Sequence, residues 1–504
     1  MKGGLLGLIL GLWVGFGGIG CKPDGRHAVD SFLDTLQART FAFFWETAHP
    51  ETGLIPDRWP TPSFSSIAAV GFGLSSYLVG VERGYITRRQ AAERVYRTLR
   101  FLWQAPQGPA SAGIAGYKGF FYHFLEMDSG HRFRDVELSS IDTALLMAGV
   151  LSAQVYFDRS SDTLEVAIRA YADSLFQRVE WDWMQPRAPL IAMGWYPERG
   201  YHAHDYTGYS EAMLLYVLAL GSPTFPVAPQ AWQAWTQTYQ WGTFYGQTFV
   251  QYSPLFTHQY RHVWIDFRGI QDAYMREKGI DYFENSRWAT LAQRAYAIDN
   301  PGRWQGYGPD LWGLTACDGP VDTTLVLGGR QRTFRSYAAR GASLVYILDD
   351  GTAYQDHENL ILTDSLVYIL DDGTLAPTAV GGSLPFAPEL ALSALQTMKA
   401  QYGEALWGQY GFWDAFNPTF QLTDVPLKHG RVVPGLGWFD TDYLGIDQGP
   451  ILLMAENYRS ELLWRLMRQS PYIVRGLKRA GFTGGWLDDM AMPEVRVVIH
   501  NRQK

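Results

Sequence analysis

Six carboxylates stand where acid–base chemistry is possible. Glu211 heads the segment 209–223, Y-S-E-A-M-L-L-Y-V-L-A-L-G-S-P, in which every residue from Ala212 to Leu220 is apolar. A helix of that composition has no polar face and belongs in an interior. A carboxylate at its head must be paired, hydrogen-bonded or protonated, and a carboxyl that burial keeps protonated is a proton donor. A second segment repeats the arrangement, with Asp135, Glu137 and Asp142 leading into T-A-L-L-M-A-G-V-L. Asp414 lies in Y-G-F-W-D-A-F-N among aromatics, and Asp447 opens I-D-Q-G-P-I. Two carboxyls of this kind can break a glycosidic bond: one protonates the leaving oxygen while the other activates water or attacks the sugar.

Each acid also has a simpler reading. Asp447 suits a helix N-cap. Asp142 would sit in a first helical turn, where the macrodipole welcomes a negative charge. Asp135 and Glu137 can pair with Arg132 or Arg134. Glu211 has no cation near it in sequence, and because a helix start favours its ionised form, an acid role needs burial or a neighbouring carboxylate. Other chemistries find little support. The chain has no Cys pair, no H-E-x-x-H, no EF-hand loop, no G-x-S-x-G, no P-loop and no dinucleotide fingerprint, so neither a metal nor a cofactor is expected. His202-Ala-His204-Asp205 reads as loop contacts to substrate or backbone, and Asp440-Thr-Asp442 as a capped turn.

Helices must position these acids. Apolar residues recur at helical spacing over about 30–47, 63–83, 88–104, 138–157, 163–180, 209–220, 229–240, 266–278, 281–298, 388–402, 447–457 and 459–469. Thr87 with Gln90 and Asp162 with Glu165 have the spacing of capping pairs, Pro388 suits a first helical position and Gly221 a stop. A dozen helices, many in consecutive pairs, fit an all-α toroid of two concentric rings. The apolar helices form the inner ring, and the charged amphipathic ones, such as 88–104 and 163–180, the outer. Long loops at 105–136, 181–208, 241–265, 299–345 and 403–446, rich in Gly, Trp, Tyr and His, would build a site at one end.

Composition agrees with a large globular body: of 504 residues, 47% are hydrophobic and 15% aromatic, including 19 Trp and 29 Tyr. Most of those rings are core, and the excess suits a groove that packs on sugar C–H faces. A net charge of −8 argues against a nucleic-acid partner. At the N-terminus, Lys2 precedes an apolar, Gly-rich stretch from Leu5 to Ile19 that ends at Gly20-Cys21. This reads as a bacterial lipoprotein signal with Cys21 lipidated, although Gly18 stands where an aliphatic residue is usual. It implies a cell-envelope protein, periplasmic or on the outer membrane, touching the membrane only through that anchor. Cys317 then has no partner, so no internal disulfide is expected. The chain divides into signal (1–21), linker (22–29), body (30–482) and tail (483–504). A monomer is expected. One segment, S-L-V-Y-I-L-D-D-G-T, occurs identically at 343–352 and 365–374. It reads as a tandem duplication whose copies pair as a hairpin, or of which one is a surface insertion, with little effect on chemistry.

Six ordered stretches resemble the glycoamylase-like family, which includes bacterial endo-β-1,2-glucanases of glycoside hydrolase family 144. They are E-L-S-S-I-D-T-A-L-L-M-A-G-V-L, Y-S-E-A-M-L-L-Y-V-L-A-L-G-S-P, W-G-L-T-A-C-D-G-P, D-D-G-T-L-A-P-T-A, G-F-W-D-A-F-N and I-D-Q-G-P-I-L-L-M-A-E-N-Y-R. The resemblance runs from about residue 30 to about 482. It implies an (α/α)6 barrel, hydrolysis of β-1,2-glucan with inversion and no metal. Glu211 matches the family's acid and Asp414 its second pocket carboxylate, with Glu137 and Asp142 as looser matches. The chain departs from the family where Arg340-Gly341-Ala342 runs into the extra copy, and an insertion reaching the cleft would turn endo into exo cleavage. Expected substrate contacts are Asp135, Trp195, Tyr196, His204, Tyr209, Arg261, Trp312, Arg340, Trp413, Trp438 and Asp447. The rival readings are another β-glucosidase or a transglycosylase on the same barrel, and a non-catalytic glycan-binding lipoprotein.

Overall fold

The computed structural model describes residues 25–344 and 367–495, together with residues 1 and 497. Six helices that are buried on nearly every side form an inner ring: α2 (Ile67–Glu82), α4 (Ser140–Tyr156), α6 (Ala212–Gly221), α8 (Phe256–Trp264), α11 (Pro377–Gly381) and α13 (Gly445–Ser460). Around them pack α1 (Gly25–Glu46), α3 (Arg88–Gln104), α5 (Thr163–Gln177), α10 (Tyr282–Asp299), α12 (Pro388–Tyr402) and α15 (Pro471–Arg479). α2 packs on α4 and α13, α4 on α6, α8 and α11 on α13, α3 on α5, and α15 on α6. Two concentric rings of helices make this an (α/α)6 barrel.

Sequence chemistry explains the ring. α3 is amphipathic and covers the barrel with one face, whereas α2, α4 and α6 are apolar all round and have nowhere else to go. Close approach demands glycine at two crossings. A Cβ on Gly71 would lie 2.3 Å from the Leu145 carbonyl oxygen, and one on Gly221 would lie 2.1 Å from that of Tyr472. The Thr87–Gln90 capping box is present. Asp162 caps α5, but Glu165 turns away from the cap to pair with Arg88 at 2.8 Å.

Several boundaries differ from the sequence reading. The segment read as a loop at 241–265 contains α8, and α11 and α15 went unread. α8 carries His258, Gln259, Arg261 and His262 fully buried, so its sequence lacks the apolar signature of an interior helix. The stretch 266–278 is helical only over Ala273–Lys278 (α9), because Asp272 caps it late. α1 begins at Gly25, inside the expected linker. Past residue 482 the chain still packs on the body, through a Gln271–Thr483 bridge and the Trp486 indole N–H on the Asp266 carbonyl.

Short antiparallel strands build the loops at one end. A five-stranded sheet joins 116–117, 120–122, 138–139, 194–196 and 200–201. Strand Ala316–Asp318 pairs with Tyr337–Ala339, and Gly341–Leu344 pairs with Val367–Leu370. The last pairing sets Ser343 and Leu344 of the first repeat against Tyr368 and Val367 of the second; the rest of the first copy lies outside the described residues. The second copy is built into the body. Its Asp371 accepts the Tyr296 and Tyr307 hydroxyls, each at 2.7 Å, and its Asp372 binds Arg340 at 2.7 and 2.9 Å. Cys21 and the apolar N-terminal stretch lie outside the described residues. No described helix is long and apolar enough to cross a membrane.

Candidate active site

Glu211 occupies the position just before α6. Its side chain makes no capping bond, and its Oε2 is buried without a hydrogen-bond partner. Burial lifts its carboxyl to about 7, and the nearby Asp142 carboxylate adds to the rise. A backbone hydrogen bond offsets part of the rise, and among the described residues no guanidinium or ammonium does. Glu211 is therefore a carboxyl held near neutrality, able to give up a proton around neutral pH.

On one side of it the five-stranded sheet delivers a second group of titratable side chains. His123, between two short strands, bonds Glu137 through Nδ1 at 2.8 Å and approaches Asp142 through Nε2 at 3.6 Å. Burial works against a charged imidazole, but Asp142, then Glu137 and Asp57, overcome it and raise His123 to about 9. Burial would raise Glu137, yet its bond to the imidazolium leaves it below the usual range. Asp142 remains raised, mostly by burial, although His123 and the Ser139 hydroxyl at 2.5 Å favour its ionised form.

A third group lies on the opposite loops. The Asp318 backbone N–H donates to Asp414 Oδ2 at 2.8 Å, while Asp414 Oδ1 is buried with no donor. Arg58 binds Asp318 at 2.7 Å, stands 3.6 Å from Asp442 and reaches His429 at 3.1 Å. Burial, then the Asp318 charge, raises Asp414; the Asp318 amide, Asp447 and Arg58 pull it back. Asp447 is pushed well up by burial and by the Asp414 carboxylate, to which it is hydrogen-bonded. The two carboxyls therefore titrate as a pair in which Asp447 holds its proton the more tightly, while Asp414 itself is raised to about 7. Asp440 is raised in the same way, and its Oδ2 has no donor.

The three groups lie within electrostatic reach of one another. Burial raises Asp57 to about 6, and both His123 and Asp142 on one side and Arg58 and Asp318 on the other act on it. Tyr260 of α8 feels Asp447, Glu211 and Asp414 together. Ligand atoms of Asp318, Asp414 and Asp440, and likewise of His123, Glu137 and Asp142, come within 4.8 Å of one another. Either set could hold a cation, the first as an all-oxygen site for a hard ion. In both, charge is already balanced by protons and by Arg58 or His123.

The structure moves several expected residues. Asp447 is no N-cap: Leu444 holds that position, and Asp447 points its chemistry at Asp414. Arg132 pairs with Glu198 at 2.6 Å, which frees Glu137 for His123. Tyr209, Arg261, Trp312, Arg340 and Trp438 are buried and present no face to a sugar. Arg261 lies over the Tyr209 ring at 4.2 Å and bonds the Thr257 carbonyl. Arg340 braces the Asp318 strand through the Cys317 carbonyl at 2.7 Å, and the Trp438 indole holds the His429 carbonyl at 2.7 Å. Asp135 and His204 are exposed. Trp195, Tyr196 and Trp413 keep partly open faces; Arg199 covers Tyr196 at 3.6 Å, and Trp413 stacks on Tyr443 at 4.1 Å. Sequence reasoning passed over Asp57, Arg58, His123 and Asp318. Only Asp318 had a signal, since W-G-L-T-A-C-D-G-P contains it.

Known proteins share this architecture. The Glycoamylase family model, described as "Putative glucoamylase", matches residues 203–471, more than half of the chain. A structure so described from Bacteroides uniformis is 31% identical, covers 91% of this chain and 99% of its own, and superposes with a TM-score of 0.73. The endo-β-1,2-glucanase of Chitinophaga pinensis, solved with sophorotriose and glucose, is 28% identical over 91% of this chain and 99% of its own, with a TM-score of 0.72. An exo β-1,2-glucooligosaccharide sophorohydrolase acting at the non-reducing end, from Parabacteroides distasonis, is 28% identical over 484 residues. That match takes in 89% of this chain but only 58% of the curated relative. Family model, sequence likeness and barrel agree: the chain belongs to the glycoamylase family.

Proposed function

We propose that the protein hydrolyses β-1,2-linked glucan with inversion at the anomeric carbon, with Glu211 as general acid and Asp414 as general base. The observation that carries this reading is a pair of buried carboxyls, each with one oxygen left without a donor, that both act on Tyr260. Burial keeps Glu211 protonated to about pH 7, and Asp414, also raised to about 7, has beside it the more strongly protonated Asp447, which favours the ionised form of Asp414. Glu211 gives its proton to the glycosidic oxygen as the C1–O bond breaks. A water on the other face of the ring attacks C1 and passes a proton to Asp414. Inversion needs the two carboxyls about 6.5–9.5 Å apart, with room for that water. Both relatives named for their activity act on β-1,2-glucan or its oligosaccharides, which supports the linkage.

Endo action is our first reading, in line with the Chitinophaga enzyme, which matches this chain over nearly its whole length. The Parabacteroides sophorohydrolase supports exo action as the second. We further place the protein in a bacterial envelope as a monomer anchored through lipid on Cys21, a reading supported by Lys2, the apolar stretch and Gly20-Cys21. The test is incubation with β-1,2-, β-1,3-, β-1,4- and α-linked glucans and sizing of the products. Cleavage of β-1,2-glucan alone is expected, with mixed lengths for endo action and a single short product for exo. Cleavage of another linkage but not of β-1,2 overturns the substrate, and binding without cleavage would leave a glycan-binding protein.

A further inference from the structure

We propose that Tyr337 is the surface on which a glucosyl unit of the substrate stacks above the Asp414–Asp447 pair. This makes it a substrate-contact residue, an assignment that rests on the glycan-hydrolase reading above. The register of the short sheet comes first. Tyr337 is the direct cross-strand partner of Asp318, and side chains directly opposite each other project from the same face. Asp318 sends its carboxylate to Arg58 and its N–H to Asp414, so the face that carries Tyr337 is the face of the acid group.

Tyr337 is nevertheless 56% exposed, one of the few large apolar side chains in the described residues with an open face. The ring is open, but many protein atoms lie around its phenol end; desolvation there raises the phenol, and Asp447, Asp414, Cys317 and Asp57 add to the rise. Tyr260, which Glu211 also influences, feels Tyr337 as well. Register and exposure thus place an open aromatic ring on the face of the acid group, within electrostatic reach of Asp447, Asp414 and Asp57. An isolated exposed ring on a convex surface would feel none of these groups.

The backbone that carries the ring is held in place. Ser336, one residue before, bonds Asp322 through N–H at 3.0 Å and hydroxyl at 2.5 Å, and its carbonyl accepts the Gly319 N–H at 2.8 Å. Three residues after, Arg340 is locked to Asp372 and to the Cys317 and Arg335 carbonyls. An aromatic with two side-chain torsions on a braced backbone orders little on binding, which suits it to stack on a sugar's C–H surface. The buried Trp312 and Trp438 cannot serve in this way.

The test compares Tyr337→Phe and Tyr337→Ala with the wild type in steady-state hydrolysis of β-1,2-glucan, with melting temperature as the folding control. Stacking requires the ring and not the hydroxyl. Tyr337→Phe should keep KM within about twofold, and Tyr337→Ala should raise it about three- to tenfold, with an unchanged melting temperature because the side chain is exposed. A KM for Tyr337→Ala within twofold of wild type overturns the proposal. Equal damage from Phe and Ala also overturns it, since the hydroxyl would then be what matters. If the wild type cleaves a different glucan, the function reading fails by itself, and the same comparison on that glucan still decides the role of Tyr337.

Discussion

Replacing Glu211 by Gln should remove activity and, in a pH-dependent way, stabilise the fold. Gln keeps the shape of a protonated Glu but cannot release the proton. Loss of a general acid lowers kcat by about 10²–10⁴-fold. The stability effect follows from burial, which raises the carboxyl from 4.5 to about 7 in the folded chain. A carboxyl with a higher pKa when folded binds its proton more tightly in that state. Its contribution is therefore fullest at low pH and declines as pH rises from about 4.5 to 7. Two and a half units correspond to about 3 kcal/mol at most. For a chain of this length the unfolding entropy is about 1 kcal/mol/K, so the full effect is about 3 °C in Tm. Wild type and Glu211→Gln should melt together near pH 4.5, with the variant about 3 °C higher at pH 8. Scanning calorimetry at several pH values beside kcat measurements is the assay. A constant Tm difference across pH, or a variant keeping more than a tenth of wild-type kcat, would refute the argument.

Other substitutions separate site from scaffold. His123→Gln removes the cation shared by Glu137 and Asp142. Since the folded imidazole is raised from 6.5 to about 9, the lost stability should be about 3 kcal/mol at or below pH 6.5 and fade as pH rises past 9, as urea titrations at pH 6 and 9.5 would show. Arg340→Ala leaves Asp372 buried without its partner and should cost about 3–5 kcal/mol by the same titration; undiminished stability would mean that the pair does not brace the Asp318 strand. Gly71→Ala forces a Cβ against the Leu145 carbonyl and should destabilise by about 1–3 kcal/mol with KM unchanged.

The barrel was readable because the inner helices 67–82, 140–156 and 212–221 are apolar on every side while α3 and α5 are amphipathic. α8 escaped because it is short and carries His258, Arg261 and His262, so it lacks the continuous apolar run that marked the other interior helices. The acids Glu137, Asp142, Glu211, Asp414 and Asp447 were visible as residues, but their roles depended on partners. Asp447 looked like a cap, yet it is buried beside Asp414, whose carboxylate pushes it well up. His123, Asp57 and Arg58 lie in ordinary loop sequence, and only folding brings Arg58 against Asp318, 260 positions away. Conspicuous aromatics misled for the opposite reason. Trp312 and Trp438 sit in loops, yet their bulk seals those loops onto the barrel. The less conspicuous Tyr337 keeps an open face.

The most direct test of the central claim is proton NMR of β-1,2-glucan in the first minutes of hydrolysis, before the released reducing ends mutarotate. An inverting enzyme with Glu211 as acid and Asp414 as base predicts that the new reducing ends appear first in the α configuration. Reducing ends appearing first as β, or no cleavage of β-1,2-glucan, would contradict it.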